Sequence, residues 1–139
     1  MGAVRLKSLK FLVPAIEPQT LAEHLKKRRQ ELCLRQLDAA KLIGVDEETY
    51  WCWEKGRAEP RASSWAGVVR FLGYDPAPPP MSLGERLKAK RRELGISQRE
   101  ASDRLGCDPE TVRRYEHDEW APKGNRLSRL QAFLRWLPT

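Results

Sequence analysis

The stretch Leu83–Glu116, "LGERLKAKRRELGISQREASDRLGCDPETVRRYE", decides how the chain is read. Leu83, Leu87 and Leu94 recur at helical spacing, with a cationic face around them, and Ser82 with Glu85 forms a capping-box pair ahead of the run. Ser97 caps a second helix, Gln98 to Leu105, with Glu100 three residues on. Gly106 supplies a turn where a left-handed backbone is cheap, Asp108 is the next cap, and Pro109 takes the favoured first helical position. A third helix, Pro109 to His117, follows at once.

The same text stands earlier in the chain. Shifted by 62 residues, "TLAEHLKKRRQELCLRQLDAAKLIGVDEETYWCWEKGRAEP" lies without a gap over the segment that starts at Ser82. Leu25/Leu87, Arg29/Arg91, Gln36/Gln98, Ala39/Ala101, Gly44/Gly106, Asp46/Asp108, Thr49/Thr111 and Glu54/Glu116 are identical, and Phe71-Leu72 matches Phe133-Leu134. One supersecondary unit is present twice. The corresponding first-copy helices run over Leu21–Leu32, Gln36–Ile43 and Glu47–Lys55, with Thr20, Glu23 and Asp46 as capping residues. Arg35 stands where Ser97 does, so the first-copy cap is expected to be weaker. A fourth helix, Ser64–Leu72 or Asn125–Leu137, closes each unit, with Trp53, Trp65 and Trp136 read as core. Between the copies "GYDPAPPPM" reads as a stiff polyproline spacer. The expected organisation is an N-terminal arm (1–18), one domain (19–74), a Pro-rich linker (75–81) and a second domain (82–139).

Composition narrows the function classes. The formal charge is +7 and is spread over both halves, which suits nucleic acid or another acidic partner. The apolar run "FLVPAI" is six residues long and broken by Pro14, so neither export nor a membrane span is expected. Cys33, Cys52 and Cys107 form no close pair in sequence, and His24 and His117 have no zinc spacing. A reduced, cytoplasmic protein with no metal, cofactor or small-molecule ligand is expected.

Two short helices joined by a glycine turn are the helix-turn-helix unit. The residues Gly95-Ile96-Ser97-Gln98, Ala101, Leu105-Gly106, Asp108, Thr111-Val112 and Tyr115-Glu116 resemble the Cro/cI-type (XRE) DNA-binding family. Both copies resemble it, over about residues 20–75 and 82–137. The first departs at Cys33, Arg35 and Leu37. The resemblance implies an all-α, lambda-repressor-like fold of four to five helices per copy, the third helix of each entering the major groove. It also implies ion pairs Arg29–Glu54 and Arg91–Glu116 that tie the first helix to the end of the third.

On the third helices, Tyr50 and Trp53, like Val112 and Tyr115, share one face and are read as inward. The resemblance places Glu47, Glu48, Thr49, Cys52 and Lys55, and in copy two Pro109, Glu110, Thr111, Arg114 and His117, toward the groove. Arg113 and Arg114 can reach guanine or phosphate, Glu48 and Glu110 can accept from cytosine, and Thr49 and Thr111 can touch a thymine methyl. Carboxylates at a helix start also stabilise the dipole without DNA, so Glu47 has two readings. So does Trp51, a contact or a lid over Lys55 and Arg57. Cys52 is read as a space-filling residue, with a redox sensor as the alternative.

Candidate phosphate contacts are Lys26, Gln36, Arg57 and Arg61 in copy one and Lys88, Gln98 and Arg99 in copy two, with Gln36 and Gln98 opening the second helices. Arg5, Lys7 and Lys10 of the arm either follow a minor groove or belong to a disordered terminus. Three function classes are in play. The first is a sequence-specific regulator of double-stranded DNA, of prokaryotic, nucleoid-associated or phage type. The second is an antitoxin- or coactivator-like module that holds a protein partner or forms a homodimer. The third, an enzyme, lacks any nucleophile–base set, phosphate-cradling glycine loop or facing carboxylate pair.

Overall fold

The computed structural model describes residues 17–136, and among them the chain forms eight α-helices and no strand. They are α1 (Leu21–Glu31), α2 (Gln36–Ile43), α3 (Glu47–Glu54), α4 (Ala62–Leu72), α5 (Leu83–Leu94), α6 (Gln98–Leu105), α7 (Pro109–Glu116) and α8 (Asn125–Arg135). The arm cations Arg5, Lys7 and Lys10 lie outside the described residues.

Local chemistry sets most of the helix ends. Thr20 and Ser82 accept the amides of Glu23 and Glu85 at 3.2 and 3.1 Å. Each glutamate reaches back one residue past the cap, to the N–H of Gln19 (2.8 Å) and of Met81 (3.3 Å). Asp46 and Asp108 accept from the amides of Thr49 and Thr111 at 2.6 and 2.7 Å. Arg35 provides no side-chain cap for α2; instead Asp38 accepts its N–H and both pairs with and orients its guanidinium, at 3.1 Å. Gly44 and Gly106 end α2 and α6 in the left-handed region, at φ 97° and 72°.

Most buried apolar side chains fall into two clusters, one from α1–α4 and one from α5–α8. Leu25, Ala39, Ile43, Tyr50, Trp53, Val68 and Phe71 fill the first. Leu87, Ala101, Leu105, Val112, Tyr115, Leu130 and Phe133 fill the second, at the positions 62 residues on. Full burial of each large side chain contributes about 1.5–3 kcal/mol. In the first cluster a tyrosine replaces Val112, and its hydroxyl is satisfied by donating to the Leu25 carbonyl at 3.3 Å. At the second, Gly84 lets α5 approach the end of α7: a Cβ there would meet the Tyr115 carbonyl and lie 2.6 Å from Asp118 Oδ1.

The fourth helices differ from expectation in their bounds and at one tryptophan, Trp136. The first of them, α4, begins at Ala62 rather than Ser64, while α8 ends at Arg135. Trp65 is buried, as expected, though outside the two clusters: it lies under the Arg92 guanidinium, 3.9 Å from its ring centroid, where α4 packs on α5. Trp136 is 43% exposed and is covered on one face by Arg104, since α8 stops too early to turn it inward. No described helix is long and apolar enough to cross a membrane.

Candidate nucleic-acid interface

Each glycine turn holds two helices so that the start of one lies beside the end of the next. An ion pair locks that arrangement. Arg29 Nε and Nη2 donate to Glu54 at 2.6 and 3.0 Å, while Nη1 donates to the Leu34 carbonyl at 3.0 Å. Arg91 does the same with Glu116, at 2.7 and 3.0 Å, and with the Ile96 carbonyl at 3.2 Å. Gln36 and Gln98 each donate to the same carboxylate as the arginine beside them, at 3.2 Å. Glu54 is 4% exposed and Glu116 3%. Burial works against the Glu54 carboxylate, but the hydrogen bonds from Arg29 and Gln36 and the charge of Arg29 outweigh it and hold its pKa below the usual range. Burial raises Tyr50, which also faces Glu54.

On the outer side of α7, Arg113 and Arg114 converge on one carboxylate. Arg113 Nη2 donates to Glu110 at 2.7 Å and to Glu119 at 3.4 Å, and Arg114 Nε donates to Glu110 at 3.2 Å. The Arg114 guanidinium also stacks 4.4 Å from the Trp120 ring centroid. Hydrogen bonding from Arg113 holds Glu110 below its ordinary pKa. The two guanidiniums are thus pre-placed on the helix surface, and a base or phosphate must compete with Glu110 for them. His117 is exposed at the end of this row. Thr111 is not part of it: it is buried, and its hydroxyl donates to Asp108 at 2.7 Å, so it offers no methyl to a groove.

The outer side of α3 has different chemistry. Glu47 and Glu48 are exposed, while Thr49 and Cys52 are half-buried. Trp51 lies under two cations, with Arg57 at 4.8 Å and Lys55 at 5.9 Å from its ring centroid. That is the lid arrangement, in which the ring face holds the two side chains that follow the helix.

Among the phosphate candidates, Lys26, Arg57, Arg61 and Arg99 are exposed. Gln36 and Gln98 are half-buried, each with one amide N–H committed to a glutamate. Lys88 lies 3.5 Å from Glu59, a residue of the other four-helix set. Sequence spacing gave no sign of Glu59, Glu119 or Trp120 as partners of candidate residues. All three sit in loops, where no periodicity predicts what they touch.

Residues 87–138, which include α6 and α7, match the Helix-turn-helix family model. This part of the chain therefore carries a helix-turn-helix, a DNA-binding element. The curated proteins and the solved structures give no match.

Proposed function

We propose that the chain is a sequence-specific regulator of double-stranded DNA built from two helix-turn-helix domains, 19–74 and 82–139, joined by the Pro-rich segment 75–81. In this reading α3 and α7 enter the major groove as a covalent pseudo-dimer, at half-sites about 34 Å apart. The observation that carries it is the arginine pair: Arg113 and Arg114 stand on the outer side of α7 within the helix-turn-helix match. A bidentate arginine–guanine contact discriminates by about 1–3 kcal/mol. The outward residues of α3 and α7 differ, so the site is asymmetric rather than palindromic. The protein acts in the cytoplasm and has no catalytic role.

One observation favours a second reading for the first domain alone. Glu47 and Glu48 are exposed at the start of α3 and make no ion pair among the described residues, which suits a cationic protein surface better than phosphate. Selection from a random duplex pool, at low and near-physiological salt, tests the main reading. The expected result is an enriched asymmetric motif that weakens when Arg113 and Arg114 are changed to alanine. Binding that selects no motif and disappears as salt rises sinks it.

A further inference from the structure

Where the two four-helix sets meet, a cleft of about 950 Å³ opens between the segment Glu59–Ser63 and the faces of α5, α6 and α7. Five arginine and lysine side chains line it against four carboxylates. Those charges are unequally engaged. Arg91 is committed to Glu116. Arg61 and Arg99, from opposite walls, are exposed and make no ion pair among the described residues. Lys88 and Arg92 are approached by one carboxylate, Glu59, at 3.5 and 4.0 Å. Glu59 comes from the other set of helices and is itself 73% exposed, so it is held at the rim by this weak pairing alone.

A carboxylate of the chain's own therefore already sits at the rim of the cleft beside its cations. Its two cationic partners belong to α5, on the wall that also presents Gln98 and Arg99. We infer that the cleft binds a phosphate group between Arg61 of the first set and Lys88 and Arg92 of the second, displacing Glu59. A phosphate group carries its non-bridging oxygens on a tetrahedral centre and is not tethered to either wall, so they can point to both walls at once, which the planar carboxylate of Glu59, fixed to one wall, cannot do. In the DNA-binding reading, on which the choice of a backbone phosphodiester rests, the first helix set then contributes to the second's grip without using its own α3. The exchange also makes Glu59 a built-in competitor that weakens non-specific binding.

The test compares the full-length protein with Glu59→Gln and Arg61→Ala, both exposed positions, for duplex binding over a range of salt. Glu59→Gln is expected to bind any duplex several-fold tighter. Arg61→Ala should bind more weakly and lower the slope of log affinity against log salt by about 0.9. Unchanged or weaker binding by Glu59→Gln, in a protein that still selects its motif, overturns the cleft proposal and leaves the DNA reading standing. A parallel titration with inorganic phosphate, followed by the amide resonances of Gln98 and Arg99 and the Trp65 indole, separates the sources. Shifts there that Arg61→Ala abolishes, without duplex binding, keep the phosphate site and remove the DNA reading. No shift and no duplex effect overturns the proposal.

Discussion

The Arg92 guanidinium lies 3.9 Å from the centroid of the Trp65 ring, and through this contact α5 is seated on α4. Burial lowers the Arg92 pKa, and Glu59 at 4.0 Å opposes that. A desolvated cation over a tryptophan is worth about 2 kcal/mol or more. Arg92→Ala is therefore expected to lower stability by about 1–2 kcal/mol in urea denaturation, with Arg92→Lys in between because an ammonium cannot stack as a plane. Full stability in Arg92→Ala means that the two helix sets are not coupled through Trp65.

Glu116 accepts from Arg91 and Gln98 while almost fully buried. Changing it to alanine strands the Arg91 guanidinium between α5 and α7, and removal of one partner from such a pair costs about 3–5 kcal/mol. The loss should appear as a drop in the midpoint of thermal unfolding monitored by circular dichroism. Arg113→Ala, tied only to exposed glutamates at 39% exposure, should change that midpoint little.

Acid should weaken the fold through Glu54. Its folded pKa is held below the ordinary 4.5, so its ion pair contributes fully above that value, where both states are ionised. As pH falls below it the unfolded chain takes up the proton first, and stability declines until the folded carboxylate also titrates. Asp46, lowered by its bond to Thr49, acts in the same direction. Stability measured between about pH 6 and about pH 3 should fall toward acid, less steeply in Glu54→Gln. An equal slope in the two proteins removes Glu54 as a cause.

Cys33 has φ 56°, in the left-handed region that Gly95 occupies at the matching position with φ 68°. The strain of a side chain there is about 1–2 kcal/mol, partly offset by the greater unfolded freedom of glycine. Cys33→Gly is expected to stabilise by about 0.5–1 kcal/mol. A destabilised variant, measured in urea, means that the exposed thiol makes a contact that outweighs the strain.

What the sequence by itself determined is what local chemistry determines. Thr20, Asp46, Ser82, Ser97 and Asp108 bond to amides three residues away, and Gly44 and Gly106 bend the backbone where they stand, so the all-helical pattern was legible without any distant contact. The inward faces of α3 and α7 followed from helical periodicity for the same reason, since Tyr50 and Trp53 must share a side. Tertiary structure alone decided the rest. Trp65 of α4 packs under Arg92 of α5, and Trp136 is covered on one face by Arg104 instead of turning inward. Glu59 reaches Lys88 across 29 residues of sequence. Those outcomes depend on the angle at which one helix set meets another and on where a loop folds back, and no short-range spacing encodes either.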